Sequence, residues 1–415
     1  MLGGRLWRHW DFLKLWSGQS ISRLGTAVSD LALPTIAVFQ LHANPFQVGL
    51  LIALQRLAFP MLAPFAGSFI DHNRRRPVMV VSDVARMLTL ASIPVASLLG
   101  SVTLIQLYLV AIAVSIASVF FDLAYLAYMP GLVSRADLFE GNAKLQVSEA
   151  VTETAGPGLA GLLITTIGAA RAVAADAFSF LVSVTSLLLI RHPEAAPATG
   201  STESRWQSLT GGARFVFGHP VLRSLILGVG LSIIGSHVIE AVEYPFAYTM
   251  LHLTPAAFGL TLSIGGIGSV IGALFAGPII RRAGVGPTIA VTGALTGVFF
   301  GSIALATRLP AIPVFATAFF LTGLVDPIHN VNQQSLRQAL TPDRLQGRMN
   351  ATFRTVYWGA WPLGNLLGGF LGTRYGLVPV IIGGSVSTVL VSLGLLLTPL
   401  RRVTEHPTLE ETPPT

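Results

Sequence analysis

Long apolar segments recur along almost the whole chain and are separated by short polar turns. An α-helix needs about 20 mainly apolar residues to cross the hydrocarbon layer of a bilayer. Several of the turns, such as 42–45 and 253–255, are too short to hold a domain. The pattern predicts twelve membrane-spanning helices, at 12–39, 46–70, 77–100, 104–128, 145–168, 170–190, 221–250, 256–280, 286–307, 311–334, 350–373 and 376–399.

Composition supports an all-α integral membrane protein. Of the 415 residues, 52% are hydrophobic and only 11% are charged, whereas soluble domains carry roughly 25% charged residues. The mean hydropathy of +0.68 is correspondingly high. We therefore expect the bilayer to be the main solvent of this chain.

The basic residues near the predicted span ends are distributed unequally between the two sides. One side carries Arg171, Arg308 and Arg374. The other side carries eighteen: Arg5, Arg8, Arg74, Arg75, Arg76, Arg135, Lys144, Arg191, Arg205, Arg214, Arg223, Arg281, Arg282, Arg337, Arg344, Arg348, Arg401 and Arg402. The positive-inside rule then predicts a multi-pass protein of the cell (inner) membrane with both termini in the cytoplasm.

Several classes of function are excluded by missing residue patterns. The chain has no cysteine, and its nine histidines show no metal-binding spacing. It has no phosphate-binding Gly-x-x-x-x-Gly-Lys loop and no nucleophile–base motif. The net charge of +7 comes from scattered arginines and not from a nucleic-acid-binding patch. We expect no enzyme activity, no cofactor, and an ion gradient as the energy source.

Sequence matches at a nearly constant offset indicate an internal repeat. His9 aligns with His219 and Gly67 with Gly277, each 210 residues further on. The predicted domains are a six-helix bundle at 1–190, a cytoplasmic linker at 191–220, a second bundle at 221–400 and a tail at 401–415. Parallel repeats of this kind occur in transporters, with the substrate site between the halves.

The linker contains a possible short helix. Pro193 to Ser204 is rich in Pro, Ala, Ser and Thr, which predicts a flexible segment. After it, apolar residues recur at helical spacing beside Arg205 and Arg214: Trp206, Leu209, Ala213 and Phe217. An interfacial helix on the cytoplasmic surface fits this pattern, and a solvated helix is the alternative.

Four motifs resemble those of a known transporter family: GSFIDHNRRR at 67–76, GPGLAG at 156–161, DAFSFLVS at 176–183 and TPDRLQGRMNA at 341–351. Together they resemble the major facilitator superfamily, in its drug:proton antiporter branch that includes macrolide efflux proteins and the enterobactin exporter. The resemblance implies two pseudo-symmetric six-helix halves, and Gly156, Pro157 and Gly161 match a motif found in exporters. The Arg-x-x-x-Gly motif tied to proton transfer is absent from 104–128. The resemblance therefore does not by itself imply the same mechanism of proton coupling.

The cytoplasmic turn after span two is predicted to act in conformational gating. Arg74, Arg75 and Arg76 anchor the orientation, and Gly67 is expected to let span two approach a neighbour closely. The resemblance implies that Asp71 receives the N-terminal end of span eleven, near Arg348, and so holds the cytoplasmic side shut.

Ionisable residues inside the spans are functional candidates, because each costs at least about 2.5–3.5 kcal/mol to insert. Buried structural pairs are the alternative. In the superfamily, spans one, four, seven and ten line the central cavity, and all four carry such groups here. The candidates for the proton or substrate pathway are Arg23, Asp30, Asp122, Glu149, Glu153, His237, Glu240, Glu243, Asp326 and His329.

Three of these groups suggest specific chemistry. Arg23 and Asp30 lie two turns apart on one helix face, and an acid beside an arginine suits a group that loads and releases protons. Glu149 and Glu153 lie one turn apart and either share a proton or pair with nearby arginines. Glu240 and Glu243 attract a cationic substrate or lie in an outer vestibule.

Two further acids favour structural roles. Asp83 and Arg86 are expected to form an internal ion pair. Asp176, which lies within a family-like motif, is expected to act in helix packing. For Gly156 and Pro157 we expect a kink or a tight helix contact.

The function that these observations favour is secondary export. A monomeric carrier would move a small amphipathic molecule outward across the lipid bilayer in exchange for protons. An uptake carrier or uniporter of the same fold is the alternative, followed by a non-transporting membrane sensor. Nothing in the sequence identifies the substrate.

Overall fold

The structure, a computed structural model, describes residues 5–134, 136–194 and 205–405; the side chains of Pro64 and of residues 205–210 are not described. Within this part the chain is helical, without strands. The α-helices are α1 (Trp10–Phe39), α2 (Pro45–His72), α3 (Arg75–Leu98), α4 (Leu104–Leu132), α5 (Leu138–Ile167), α6 (Ala169–Leu188), α7 (Arg205–Gly218), α8 (Pro220–Pro245), α9 (Pro255–Ala283), α10 (Val285–Gly301), α11 (Ala311–Ala339), α12 (Gln346–Tyr375) and α13 (Leu377–Gly394). All except α7 correspond to the twelve predicted spans.

Short 3₁₀ or π-helical segments lie next to several of these α-helices. A π-helix at Phe246–Met250 continues α8, and 3₁₀ turns lie at Arg5–Arg8, Ser302–Thr307 and Asp343–Leu345. Two more 3₁₀ turns, Leu395–Leu397 and Pro399–Arg402, follow α13. The predicted spans that end at 250 and 307 therefore include a change of helix type near one end.

Nine helices in the described part of the chain have the length and hydropathy of a membrane span. The other three long helices, α1, α5 and α12, carry more polar residues. In α1, for example, Asp11, Lys14, Arg23 and Asp30 interrupt the apolar sequence. All three helices carry candidate functional residues, among them Asp30 in α1, Glu149 in α5 and Arg348 in α12.

The chain divides into two compact units. The first comprises the described parts of Met1–Ala43, Leu54–Gly200 and Thr254–Ser263, and the second comprises those of Asn44–Ala53, Ser201–Leu253 and Ile264–Thr415. The main boundary falls inside the predicted linker. By packing, the first turns of α2 belong to the second unit and the first turns of α9 to the first.

The same helix pairings recur in each unit. In the first unit, α6 packs against α1 and α3, α3 packs against α4, and α1 packs against α5. In the second, α13 packs against α8 and α10, α10 packs against α11, and α8 packs against α12. The two sets correspond helix by helix in chain order, as expected of an internal repeat.

The aligned histidines of the repeat have the same structural role. The Nδ1 atom of His9 accepts a hydrogen bond from the backbone N–H of Phe12 (3.1 Å) at the start of α1. The Nδ1 atom of His219 accepts one from Leu222 (3.4 Å) at the start of α8. Each histidine caps an otherwise unpaired N–H group of the first helical turn.

The short helix α7 packs on its own unit through the face that carries Gly212 and Val216. A Cβ atom at Gly212 would lie 2.8 Å from the backbone carbon of Arg348, and Val216 is buried in the core of the second unit. Phe217, on the predicted apolar stripe, is exposed. The helix contacts α12 through its glycine side, and the interfacial position of the stripe stays a prediction. The side chains of Trp206 and Leu209 and the linker residues 195–204 lie outside the description.

Candidate functional site

In the first unit, two arginines each pair with a carboxylate from a different helix. Arg23 Nη1 of α1 lies 2.6 Å from Glu149 Oε1 of α5, and Arg56 Nη2 of α2 lies 3.1 Å from Asp30 Oδ2 of α1. All four side chains are partly exposed. The expected pairing of Asp30 with Arg23 is therefore wrong, because α5 and α2 supply nearer partners.

Two further carboxylates belong to this cluster. Asp122 is solvent-accessible and experiences the charges of Arg86, Arg23 and Arg56. Glu153 is also accessible and lies in the field of Glu149 and Arg23. Of the two alternatives for the glutamate pair, the structure favours the arginine pairing for Glu149.

The predicted pair of Asp83 and Arg86 is confirmed and is part of the core. The two side chains form a buried salt bridge, and Ser183 Oγ donates to Asp83 Oδ2 at 2.6 Å. The guanidinium carbon lies 4.3 Å from the ring centre of Phe121 and 4.4 Å from that of Phe180. Hydrogen bonds and cation–π contacts together compensate the burial of these charges.

Asp176 has the contacts of a packing residue. Its side chain is buried, and it accepts hydrogen bonds from Ser29 and from Ser179 Oγ (3.1 Å). A Cβ atom at Gly25 would approach Ser179 and Asp176. Asp176 thus joins α1 to α6 at a point where only glycine fits, which agrees with the packing interpretation.

In the second unit, Glu240 of α8 is held by neutral donors from α12. Trp361 Nε1 donates to Glu240 Oε2 at 3.0 Å, and Asn365 Nδ2 donates to the same oxygen at 3.1 Å. His237 Nε2 lies 3.5 Å from that oxygen. Because His237 Nδ1 donates to the carbonyl of Ile233 (2.7 Å), Nε2 becomes a donor to Glu240 only when the ring is protonated.

Glu243, one turn further along α8, is almost completely enclosed. The residue is 4% exposed, and its Oε2 atom has no hydrogen-bond partner in the described part of the chain. The charge of Glu240 acts on it. The π-helix Phe246–Met250 begins three residues later, and π-helical turns occur frequently at functional sites.

Threonines of α10 support the two candidates on α11. Thr296 Oγ1 donates to Asp326 Oδ1 at 2.8 Å. His329 Nδ1 lies 3.1 Å from the carbonyl of Ile289 and 3.2 Å from Thr292 Oγ1. Asp326 and His329 therefore lie in a polar seam between two helices of the second unit.

The exporter-like motif of α5 forms a tight helix contact within the first unit. A Cβ atom at Gly161 would clash with the carbonyl of Pro255 in α9, and one at Gly259 would clash with the carbonyl of Pro157. The N–H of Gly158 donates to Ser263 Oγ at 2.8 Å. Gly156 approaches Ala27 of α1 in the same way. Of the two alternatives for this motif, the tight contact is present.

The basic turn after α2 differs from the expectation in one respect. A Cβ atom at Gly67 would meet no atom of the described residues within 4 Å outside its own helix backbone, so the predicted close approach is wrong. Asp71 is exposed at the end of α2. Its contact with the start of α12, near Arg348, stays a prediction.

A carboxylate does bind a helix N-terminus beside this turn, but it is Glu194. Its oxygens accept hydrogen bonds from the backbone N–H groups of Arg75 (2.5 Å) and Arg76 (3.2 Å) at the start of α3. Arg76 Nη2 donates in turn to the carbonyl of Leu188 at 2.6 Å. The start of α3 is thereby joined to the segment that follows α6.

Asp11 makes a second connection to that segment. It accepts hydrogen bonds from the N–H groups of Arg191 (3.2 Å) and His192 (3.0 Å) and pairs with Lys14 at 2.8 Å. Burial opposes its ionisation, but the Lys14 hydrogen bond, the Arg191 N–H and the Lys14 charge outweigh it and lower the pKa of Asp11 below its usual value.

Sequence reasoning missed several partners. Arg56, Trp361 and Asn365 lie in the predicted spans without any motif that marks them, and Glu194 is the first acid in the connection that follows α6. Only Glu194 had a signal, since an acid close to a helix start is a capping candidate. Among the described residues, no group of three His, Asp or Glu side chains is arranged to hold a metal ion.

Comparison with known proteins shows what this chain is similar to. It is 28% identical to the multidrug efflux pump Tap of Mycolicibacterium fortuitum, over 91% of this chain and 93% of Tap. It is 25% identical to the enterobactin exporter EntS of Citrobacter koseri, over 94% of this chain and 91% of EntS.

Solved structures support the fold. A bacterial homologue of the iron transporter ferroportin matches with a TM-score of 0.74 and 19% identity, over 94% of this chain and 99% of that one. The nucleoside transporter NupG matches with a TM-score of 0.73 and 13% identity, over 93% of this chain and 98% of NupG. The sequence pattern of the Major Facilitator Superfamily matches residues 15–364 and 231–414. With this match, the twelve long helices and the paired packing of two units, the chain is a multi-pass membrane protein that belongs to the Major Facilitator Superfamily.

Proposed function

We propose that this chain is a secondary active exporter that moves small amphipathic molecules out of the cell by alternating access, in exchange for inward protons. It acts as a monomer in the cytoplasmic membrane with both termini in the cytoplasm. Two exporter relatives that each match more than 90% of this chain support the outward direction. The distribution of basic residues supports the orientation.

The observation that carries proton coupling is the isolation of Glu243. Burying an ionised carboxylate without a partner is very costly. Such a group therefore binds a proton when it is buried and releases it when it is exposed to water. No lysine or arginine of the described chain pairs with Glu243. Asp30, by contrast, has Arg56 at 3.1 Å as a counter-ion.

The position of Glu243 suits a group that changes its access to water. It lies just before the π-helix Phe246–Met250, and its helix α8 packs against the glycine-rich face of α12. A Cβ atom at Gly368 would lie 2.7 Å from the Cα atom of Val238, and one at Gly372 would lie 2.6 Å from Val242. A small shift of α8 along this close contact would open or close the surroundings of Glu243.

Inside-out vesicles test the proposal directly. We expect ethidium, a macrolide or a catecholate siderophore to accumulate when the vesicle interior is acidified, and a protonophore to abolish the accumulation. The Glu243→Gln variant is expected to lose gradient-driven accumulation by at least tenfold and to keep counterflow exchange. Asp343→Asn, which removes an exposed charge on the Asp343–Leu345 turn, is the matched control.

Three results would contradict parts of this proposal. Accumulation driven by sodium and indifferent to the proton gradient would exclude proton antiport. Uptake in the opposite direction, or exchange without any gradient dependence, would favour an uptake carrier or uniporter. Unchanged gradient-driven transport in Glu243→Gln would remove Glu243 from coupling.

A further inference from the structure

The carboxylate of Glu240 has one satisfied oxygen and one open oxygen. Trp361 Nε1 and Asn365 Nδ2 both donate to Oε2, and His237 faces the same atom. Within the described chain, Oε1 accepts no hydrogen bond, and the side chain is 28% exposed. The protein therefore orients this carboxylate and leaves one of its oxygens available to a ligand.

Acceptors outnumber donors around this carboxylate. Asn365 is completely buried, and its Oδ1 atom has no partner in the described part of the chain. It belongs to the same planar amide whose Nδ2 contacts Glu240, so it lies beside the carboxylate. Glu243 Oε2, one turn along the helix, is a second buried acceptor without a donor. These acceptors place negative partial charge next to Glu240, which favours a positively charged ligand group at its open oxygen.

Aromatic rings flank the same carboxylate. The ring centres of Trp358 and Trp361 are 5.6 Å apart, and those of His237 and Trp361 are 4.7 Å apart. The hydrogen bond from Trp361 Nε1 uses the edge of the indole, and a cation binds at the face of such a ring. Tryptophan faces beside a carboxylate are a combination that recognises organic cations.

Two carboxylates of the first unit, Glu149 and Asp30, do not offer the same site. Glu149 has Arg23 at 2.6 Å and Asp30 has Arg56 at 3.1 Å, so their negative charge is already compensated. In the second unit, no lysine or arginine of the described residues pairs with Glu240. The neutral donors of Trp361 and Asn365 fix the orientation of the Glu240 carboxylate without compensating its negative charge.

We propose that Glu240, Trp361 and Asn365 form a subsite for the charged group of a lipophilic organic cation. This inference rests on the proposed export function and specifies the class of substrate. Glu240 Oε1 faces the positive group, Asn365 holds the carboxylate through Nδ2, and the Trp361 ring contacts the apolar substituents of the cation.

Equilibrium binding to the purified full-length protein in detergent tests the subsite without any ion gradient. The probe is radiolabelled tetraphenylphosphonium, and tetraphenylborate is an anion of nearly the same size and shape. We expect the cation to bind and the anion not to compete. Glu240→Gln is expected to weaken cation binding at least tenfold, Trp361→Leu to weaken it by a similar factor, and Asp343→Asn to leave it unchanged.

Two results would overturn the inference. One is equal affinity of Glu240→Gln and the unmodified protein for tetraphenylphosphonium; the other is binding of the borate as tight as that of the phosphonium. If Glu240→Gln does not fold, Glu240→Asp replaces it as the test. This variant keeps the negative charge but shortens the side chain by one methylene, and it should weaken binding of the cation measurably. Cation binding without gradient-driven transport of any compound would contradict only the proposed function. Transport of neutral compounds without cation binding would contradict only the subsite.

Discussion

Arg56 of α2 lies 3.1 Å from Asp30 of α1, which gives the carboxylate a partner from a neighbouring helix. This ion pair changes the interpretation of Asp30 from a proton carrier to one half of a contact. Removing one partner leaves an uncompensated charge, so the two residues must be tested together.

We expect Asp30→Asn to reduce gradient-driven transport several-fold, because Arg56 keeps a positive charge without its counter-ion. The double variant Asp30→Asn/Arg56→Gln removes both charges and is expected to recover at least half of the activity. Transport in proteoliposomes measures both. If the double variant stays as inactive as the single one, Asp30 itself carries the proton, as its position in span one first suggested.

Gly161 is a position where even a methyl group should be harmful. Its Cβ atom would clash with the backbone carbonyl of Pro255, which cannot rotate away as a side chain does. We expect Gly161→Ala to destabilise the protein by about 1–3 kcal/mol and to impair transport. Thermal unfolding of the purified protein measures the first effect.

The matched control is Gly383→Ala in α13, where a Cβ atom would meet none of the described residues within 4 Å outside its own helix backbone. Both substitutions add the same methyl group to a helix and raise helix propensity equally. Equal melting temperatures of the two variants would contradict the tight contact.

Glu194 is expected to stabilise the start of α3. Because its carboxylate accepts the N–H groups of Arg75 and Arg76, Glu194→Ala should cost about 1 kcal/mol. Hydrogen exchange of the amides at the start of α3 should accelerate in this variant. Asp343→Ala is the control, and unchanged exchange at α3 with Glu194→Ala would show that the cap does not form in solution.

The contribution of Asp11 should depend on pH. Its pKa is lowered in the folded protein, so its stabilisation is complete above the unfolded pKa of about 3.9 and is lost as the pH falls through the lower folded value. Asp11→Asn should therefore lower the free energy of unfolding at pH 7 by about 1 kcal/mol, which is measured as a lower melting temperature. This difference should shrink below about pH 4. A difference that persists undiminished at low pH would show that the charge is not responsible.

The number and order of the long helices and the contacts along single helices were determined by the sequence alone. Hydrophobic segments of span length predicted the twelve long helices, since only a helix satisfies every backbone group in lipid. The Asp83–Arg86 pair and the proximity of His237 to Glu240 followed from three-residue spacing, which places two side chains on one helix face. The aligned histidines at 9 and 219 likewise marked the two helix starts that they cap.

Partners on different helices were decided only by the tertiary structure. Arg23 and Glu149 are 126 residues apart, and Glu240 and Trp361 are 121 apart. Which groups meet depends on the rotation and axial position of each helix, and these follow from packing at glycine contacts such as Gly364 and Gly368 against α8. Hydropathy places a segment in the bilayer but leaves its rotation undetermined. For this reason the list of charged residues could be read from the sequence, whereas the division into compensated and open carboxylates required the folded chain.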